Sequence, residues 1–394
     1  RVDDLDLPPP QFATTTDGRN VLNGDIVRSG FDISGTIEPG SIVWVDIDGI
    51  SRQAVVDGNG NWTARFGPNS IPSGQRNATL TVSVEDPVGN ISELTESVFI
   101  DTVVLDMTQG ETTGAINGVA NIAAAQGGLE LTGTAEANSQ VRIEIFGNVY
   151  RTSSDANGDW TLTIPQGDVP RTETTAQAVI TVTDPAGNVD TIPGSVTIDM
   201  VAPGEAEIVG YFRQGGGYRY ITTETGDDPV SVHQVGADGS VNEMALYDDE
   251  NAFLGETDHF FLNQSGQPQS IPDGSQLVVT TTDGAQNTSS TYLVLDEVNT
   301  STVDLGNPNL AQFQIDAVDL RFADRSQLTL TEQQLRDLSD NSDTLQIEGG
   351  TDDTVIITGA QQVNGGALEP QGYDIYTLGQ DATIIVDEKI DVIT

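Results

Sequence analysis

The amino-acid sequence predicts an all-β fold, made of tandem β-sandwich modules in an elongated array. One observation behind this prediction is a set of motifs that returns after a fixed interval along the chain. A second is the alternation of apolar and polar residues in short segments between frequent turn signals. The third is composition, since 42 glycines and 6% aromatic residues among 394 residues suit short strands and many turns.

The repeat is carried by four motifs: Gly-Thr-x-Glu, Asp-x-Asn-Gly-x-Trp, Asp-Pro-x-Gly-Asn and Ile-Asp. They occupy residues 35–38, 57–62, 86–90 and 100–101 in the first copy, and residues 133–136, 155–160, 184–188 and 198–199 in the second. Corresponding positions are 98 residues apart in every case. The sequence therefore predicts two homologous modules of this length.

A third, divergent copy follows the first two. Residues 283–287 stand in place of the Asp-Pro-x-Gly-Asn turn, and Leu295-Asp296 stands in place of Ile-Asp. The tryptophan is replaced by His259 or Phe260. The first half of this copy has lost the pattern, so its assignment as a module depends on these positions.

Within each module the apolar residues have the period of a half-buried strand. Val43, Val45 and Ile47 alternate with residues of the opposite face, and positions 141, 143 and 145 repeat the pattern. About seven short strands per module are typical of an immunoglobulin-like β-sandwich. We expect Trp62 and Trp160 to be the main buried anchors of the two cores.

The last part of the sequence differs from the repeats. Thr331-Glu332-Gln333-Gln334 predicts a capping box that opens a short helix through Leu338, and β-rich stretches follow it. We read this part as a separate, mostly β domain. The predicted segments are a linker from a preceding module at 1–11, Ig-like domains at 12–102, 103–203 and 204–297, and a C-terminal β-rich domain at 298–394.

Charge and composition exclude several functions. Sixty acidic residues against fifteen basic ones give a net charge of −45, which repels nucleic acid and anionic membrane surfaces. No run of 18 apolar residues occurs, so we expect no direct membrane insertion. The absence of cysteine excludes disulfides and thiolate metal sites. We expect a fragment of a larger exported protein that behaves as a monomer.

Acidic residues in the turns and at the module ends are candidate ligands of a hard cation. Loops from alternate hairpins gather at one pole of a sandwich, and we expect Glu38, Asp86 and Asp101 to converge there on Ca²⁺. Such an ion would fix the angle between neighbouring modules. The alternative is that Asp86 and Asp184 only cap their turns through Asx hydrogen bonds.

Other motifs are weaker evidence for a functional site. Residues 57–61 and 155–159 open like an EF-hand loop, but the glycine is misplaced and the final glutamate is missing, so we predict hairpin turns. Residues 349–355 are similar to one nonapeptide of a calcium β-roll, and a single copy supports only a tight turn. Four aromatic residues near three glycines leave a sugar- or peptide-binding surface open, although strand alternation places half of them in the core. They are Tyr211, Phe212, Tyr218 and Tyr220.

Enzymatic activity is not expected. His233 and His259 are the only histidines, and no set of nucleophile, base and orienting residue occurs at a recognisable spacing. A carboxylate pair of the glycosidase type depends on spatial separation, which the sequence does not give.

Taken together, the four motifs resemble the bacterial immunoglobulin-like repeats of giant RTX-type adhesins, which are exported by type I secretion. The resemblance covers residues 30–203 and, more loosely, extends to 297; residues 335–345 and 384–387 resemble a module that follows such repeats. It implies a calcium-stiffened extender of a surface adhesin that supports attachment and biofilm formation. The junction ligands it implies are Glu38, Asp86 and Asp101, then Glu136, Asp184 and Asp199, with Asp283 and Asp296 as further counterparts.

The resemblance also implies location and partners. We expect a secreted protein at the bacterial cell surface, whose partners are neighbouring modules of the same chain and a ligand on a host or biofilm surface. The first junction departs from the family linker Asp-x-x-x-Pro, because it reads Asp101-Thr102-Val103-Val104-Leu105. Two alternatives remain: a glycan- or peptide-binding tip in the third and fourth domains, and an accessory module of a secreted polysaccharide-degrading enzyme.

Overall fold

A computed structural model describes residues 11–12, 20–338, 344–363, 372–379 and 382–394. The chain forms two compact units. The first comprises Arg1–Ala120, Ala124–Pro170 and Thr174–Ile198, and the second comprises Asn121–Ala123, Arg171–Glu173 and Asp199–Thr394. The predicted domain boundaries are not decided by this division.

The first repeat folds into two separate sheets, with strand orders β1-β3-β7-β6 and β2-β9-β8-β4-β5. All pairs are antiparallel except β2 with β9. The elements are β1 Gln11–Phe12, β2 Val21–Asn23, α1 Gly24–Ser29, β3 Phe31–Thr36, β4 Ile42–Ile47, β5 Ile50–Gln53, β6 Val55–Val56, β7 Asn61–Phe66, β8 Gln75–Glu85 and β9 Ile91–Asp101.

The second repeat has the same arrangement, with sheets β10-β12-β15 and β11-β17-β16-β13-β14. A 3₁₀ turn at Gln166–Asp168 follows β15. The other elements are β10 Thr108–Thr112, β11 Val119–Asn121, α2 Ile122–Ala125, β12 Leu129–Thr134, β13 Gln140–Ile145, β14 Asn148–Ser153, β15 Asp159–Ile164, β16 Glu173–Thr183 and β17 Val189–Asp199.

The predicted alternation and the predicted anchors are confirmed. Val43, Val45 and Ile47 are fully buried in the core between the two sheets of the first repeat, and Trp62 and Trp160 are buried in theirs. The mostly β fold with immunoglobulin-like modules is therefore as predicted.

Each tryptophan packs on the glycine of Gly-Thr-x-Glu. A Cβ atom at Gly133 would lie 2.2 Å from Cζ2 of Trp160 and 2.3 Å from the carbonyl oxygen of Thr108. Gly35 is in similar contact with Trp62. The two motifs recur together because the ring needs a residue without a side chain beneath it.

The third module also has two sheets, but one of them continues into the C-terminal region. The first has the order β18-β19-β23-β22, with β24 beside β19. The second begins β21-β20-β25-β26. The strands are β18 Ile208–Gln214, β19 Gly217–Glu224, β20 Val230–Val235, β21 Val241–Glu243, β22 Ala245–Asn251, β23 Glu256–Leu262, β24 Ile271–Pro272, β25 Ser275–Thr282 and β26 Thr288–Val303.

In the C-terminal region the chain winds between two parallel ladders, β26-β27-β29-β33 and β26-β28-β30-β34. The sequence predicts the strands but not this parallel winding. The elements are β27 Ile315–Asp319, β28 Ala323–Leu330, α3 Glu332–Leu338, β29 Thr344–Glu348, β30 Thr354–Ile357, β31 Gln361–Gln362, β32 Tyr373–Leu378, β33 Ala382–Asp387 and β34 Asp391–Ile393, with a 3₁₀ helix at Pro308–Phe313.

Strand β26 joins the third module to this region. The expected boundary between residues 297 and 298 falls inside the strand, and one core contains Tyr292 and Val294 together with Leu328 and Ile384. Before the boundary β26 pairs with β25 and β27, and it pairs with β28 on both sides of the boundary, with a register shift between Asp296 and Thr300. The third and fourth predicted domains therefore share a sheet.

The predicted helix cap is confirmed. The Thr331 hydroxyl accepts a hydrogen bond from the Gln334 amide at 3.3 Å, and the Gln334 side chain accepts one from the Thr331 amide at 3.0 Å. Residues 349–353 form the predicted tight turn between β29 and β30. No described helix is long and apolar enough to cross a bilayer.

Replacing Gly133 by alanine should destabilise the second repeat. The added methyl group overlaps both Trp160 and the backbone of β10, and overpacking of this kind costs about 1–3 kcal/mol. Urea unfolding followed by tryptophan fluorescence would measure the loss. Gly167→Ala is the matched control, because a Cβ there meets nothing within 4 Å. Equal effects of the two changes would contradict the packing argument.

Candidate metal site at the junction of the first two repeats

The Asp-Pro-x-Gly-Asn turn is closed by its own aspartate. In the second repeat, Asp184 Oδ1 accepts the Asn188 amide at 2.8 Å, and Asp184 Oδ2 accepts the Asn188 side chain at 2.7 Å. Asp86 and Asp283 make the corresponding bonds to the last residue of their turns. All three aspartates therefore close their turns through Asx hydrogen bonds.

The turn of the second repeat is also bonded to the first repeat. The side-chain oxygen of Asn188 accepts the Gly24 amide at 2.7 Å, and its nitrogen donates to the Asp101 carbonyl at 2.9 Å. In return, the Asn23 side chain donates to the Ala186 carbonyl at 2.9 Å. Asn23 and Asn188 are both buried, so the two repeats meet through satisfied polar groups rather than through an open hinge.

A related set of bonds lies within the second unit. The Asn287 side chain donates to the carbonyls of Asp199 and Val201, at 3.1 and 3.3 Å. The Asn121 side chain donates to the Ala285 carbonyl at 2.9 Å. The asparagine at the end of the turn therefore has the same bonding role in the second and third copies.

Three carboxylates from the two repeats converge beside Asn188. One oxygen each of Asp101, Glu136 and Asp184 lies within 4.8 Å of the others. Asp101 ends β9, Glu136 follows β12, and Asp184 begins the turn. Oxygen ligands lie about 2.3–2.6 Å from Ca²⁺, so ligands on opposite sides of one ion are about 5 Å apart. The spacing and the all-oxygen donor set fit a hard divalent cation.

Two neutral donors hold these carboxylates in place. The Gln75 side chain donates to Glu136 at 2.8 Å and to Asp101 at 3.2 Å. The Leu105 amide donates to Glu136 at 2.6 Å. Leu105 stands where the second linker has Pro203, and proline has no N–H, so the first linker supplies a hydrogen bond that the second cannot make.

The cluster carries uncompensated negative charge. Burial raises the pKa of Asp101 despite the Gln75 hydrogen bond, and the charge of Asp184 raises it further. Burial likewise raises the pKa of Glu136. Among the described residues, none of the three carboxylates pairs with arginine or lysine. A cation placed among them would remove the repulsion that raises both pKa values.

The expected grouping of Glu38, Asp86 and Asp101 is wrong. Asp101 pairs with Gln75 at one end of the β8–β9 hairpin, whereas Asp86 lies in the turn at the other end. Strands of 11 residues place these ends roughly 30 Å apart. Glu38 is on the side of Asp86, since nearby Gly40 lies against Pro87. A module end therefore meets the turn of the following module, not its own.

The remaining candidates lie apart from any such cluster in the described part of the chain. Asp199 Oδ1 accepts the Val201 amide. Asp296 is buried and bonded to the Val298 and Asn299 amides and the Ser301 hydroxyl, so it caps a bend inside β26. In the third copy Val230 pairs with Thr281 as Val141 pairs with Val182, so Thr225 stands at the position of Glu136.

Sequence reasoning missed the neutral residues of the junction, Gln75, Asn188 and Asn23. The signal for two of them was present. Asn23 and Asn121 are 98 residues apart, and asparagine ends all three turns, so both positions belong to the repeat. Gln75 has no such signal.

The buried histidine forms a chain of hydrogen bonds without access for a substrate. His259 Nδ1 lies 2.7 Å from Asp248, and Nε2 lies 3.0 Å from the Thr223 hydroxyl. Thr223 is 1% exposed, which leaves this hydroxyl out of reach as a nucleophile. These hydrogen bonds support a structural role for His259 as a core residue.

A family match agrees with the fold of the second repeat. The family described as bacterial Ig-like domain matches residues 100–200. A solved bacterial immunoglobulin-like domain from the M. primoryensis ice-binding adhesin is 34% identical and covers 24% of this chain and 95% of its own, with a TM-score of 0.20.

Two longer structures are also similar. A Ca²⁺-stabilized adhesin that helps an Antarctic bacterium reach out and bind ice is 23% identical, with 73% of each chain covered and a TM-score of 0.36. A structure concerning host cell surface retention of a 1.5-MDa bacterial ice-binding adhesin is 18% identical, covering 69% of this chain and 91% of its own, with a TM-score of 0.38. No curated protein matches the chain.

Replacing Asn188 by alanine should weaken the junction without any metal being involved. The change leaves the buried Gly24 amide and Asp101 carbonyl without their partner, at a cost of about 1–3 kcal/mol. Thermal unfolding in chelator would measure it. Asn90→Ala is the control, since Asn90 bonds to Asp86 of its own turn. A larger effect at Asn90 would refute the assignment.

The metal-free junction should lose stability as pH rises. Glu136 has a raised pKa, so the unfolded chain ionises first, and the folded state is disfavoured from about pH 4.5 upward, through the raised pKa. Below that range both states are protonated and the penalty vanishes. Glu136→Gln removes the titrating group. In chelator, its unfolding temperature should exceed that of the wild type increasingly with pH, and a difference that does not change with pH would contradict the argument.

Proposed function

We propose that the chain is a calcium-stiffened extender segment of a bacterial cell-surface adhesin, supporting attachment and biofilm formation. The observation that carries the proposal is the convergence of Asp101 from the first repeat with Glu136 and Asp184 from the second. The repeat and the four motifs, which resemble those of secreted adhesins, supply the setting. The function is mechanical, and the partners are neighbouring modules.

Calcium would replace the repulsion among the three carboxylates of the junction by their attraction to one ion. Without the ion, three carboxylates from two modules repel one another and favour separation. With the ion, the same carboxylates are attracted to one centre, and Glu136 and Asp184 can no longer move independently of Asp101. The hydrogen bonds of Asn188 already fix the approach of the two modules, so the ion adds rigidity to a contact that exists.

Asp184→Asn should weaken calcium binding by about tenfold or more, because one of three anionic ligands is lost. Asparagine keeps one side-chain oxygen for the Asn188 amide but loses the acceptor of the Asn188 side chain. The equivalent acceptor is lost in Asp86→Asn, so the comparison of the two variants removes this structural cost. Asp86→Asn is the matched control, as Asp86 closes the same turn in the first repeat without the other two ligands. Isothermal titration with CaCl₂ measures both variants. Equal affinity in wild type and Asp184→Asn would reject this site.

Stiffening has a separate test. Small-angle scattering of the full chain in calcium and in chelator should show a longer, narrower distribution of distances in calcium. Glu136→Gln in calcium should resemble the wild type in chelator, whereas Glu38→Gln should resemble the wild type in calcium. Binding without any change in scattering would retain the ion and refute the mechanical role.

A further inference from the structure

The third module carries an aromatic row on the outer face of the β18-β19-β23-β22 sheet. The row consists of Phe212, Tyr220, Phe260 and Tyr247, one from each strand. Phe212 is in register with Tyr220, Tyr220 with Phe260, and Phe260 with Tyr247. Ring centroids of successive members are 5.2, 4.5 and 6.2 Å apart. The row therefore crosses the whole width of the sheet.

A β-bulge turns Tyr220 outward. Phe212 pairs with Tyr220, and Arg213 pairs with Tyr218, so Arg219 is an extra residue in β19. In a regular strand, residues two apart share a face, so Tyr218 and Tyr220 would both point into the core. Tyr218 is fully buried there. Bulges that redirect a side chain occur at functional sites, and this one completes the aromatic row.

The row is not needed to cover the core of the module. That core lies on the opposite face of the sheet, where Tyr218, Ile221 and Phe261 pack. Phe212 is 44% exposed and Tyr247 is 60% exposed. An antiparallel sheet with one face on a core usually presents polar side chains on the other. A continuous aromatic strip on that face points to a partner.

A second row, which we call the polar row, runs beside the aromatic row on the same face of the sheet. On each strand it lies two residues from the aromatic residue. It consists of Gly210, Thr222, Asp258 and Asp249, which are paired across the same strands. The Thr222 hydroxyl donates to Asp258 at 2.6 Å. A Cβ at Gly210 would meet nothing within 4 Å, so there is open space next to Phe212. The carboxylates can accept hydrogen bonds from the hydroxyl groups of a ligand, and the exposed rings can stack on its C–H faces.

We propose that the aromatic row and the polar row together bind a neutral polysaccharide chain. Sugar rings present an apolar face to aromatic side chains and hydroxyl donors to Asp249 and Asp258. The net charge of −45 and the two flanking carboxylates disfavour an anionic glycan, and they also disfavour a second copy of this chain. The site is independent of the proposed calcium junction.

The test is binding of the full chain to hydroxyethyl cellulose, laminarin, mannan and arabinoxylan, with alginate as an anionic comparison, in affinity electrophoresis. Retardation by at least one neutral polymer and not by alginate is expected. Tyr220→Ala and Tyr247→Ala should each weaken it by roughly tenfold. Phe253→Ala is the matched control, since Phe253 is 94% exposed on the same hairpin but outside the row.

Aromatic pairs across strands also stabilise sheets, so a second variant separates binding from folding. Gly210→Val adds bulk into open space and should abolish retardation at an unchanged unfolding temperature. The proposal is overturned if no neutral polymer retards the wild type, if alginate does so equally, or if Gly210→Val binds normally. It is also overturned if the wild type sediments as a dimer that Tyr247→Ala converts to monomer, which would make the row an interface between copies.

Discussion

Repulsion among the carboxylates of Asp101, Glu136 and Asp184 is the interaction that the first junction has to offset. Unit charges about 4 Å apart in partly buried surroundings repel by on the order of a few kcal/mol. Hydrogen bonds to charged groups return about 1.5–3 kcal/mol each, and those from Gln75, Leu105 and Asn188 are of this kind. The junction is therefore held together by neutral donors around an acidic centre, and its rigidity depends on what happens to that charge.

The geometry of a long hairpin explains why the site has to lie between modules. Strands β8 and β9 carry the Asp-Pro-x-Gly-Asn turn at one end and the terminal Asp101 at the other. Only a following repeat can bring a second turn, with Asp184, up to this terminal aspartate. The same motif thus has two roles: its aspartate closes the turn locally, and its asparagine bonds to the preceding module.

The offset of 98 residues predicts a great deal from sequence, because identical local chemistry produces identical local structure. It predicts the two sandwiches, the buried Trp62 and Trp160, and the Asx turns, and the capping box predicts the helix at 332–338. Which pole each carboxylate occupies is a different kind of information. The pole that a carboxylate occupies depends on strand length and on which loop the neighbouring module presents. Local motifs do not contain this information, and for this reason the prediction that Asp86 and Asp101 share one site is wrong. The sequence does not predict that β26 belongs to both the third module and the C-terminal region, because a strand shared in this way has no local sequence signature.

The third copy shows how divergence changes what a module can do. Strand register places Thr225 at the position of Glu136, and the linker before this copy has Pro203 where the first linker has Leu105, the donor to Glu136. The ligand and its hydrogen-bond donor are thus present together at one junction and absent together at the next. In the same module, a bulge at Arg219 breaks the period of two, so that Tyr220 lies on the outer face although Tyr218, two residues earlier, lies in the core. Reading by alternation assigns half of the aromatic group to the core, but it cannot say which half, because a bulge changes the parity of every residue after it. The loss of acidic junction chemistry and the gain of an exposed aromatic row therefore coincide in the copy where the repeat pattern is weakest.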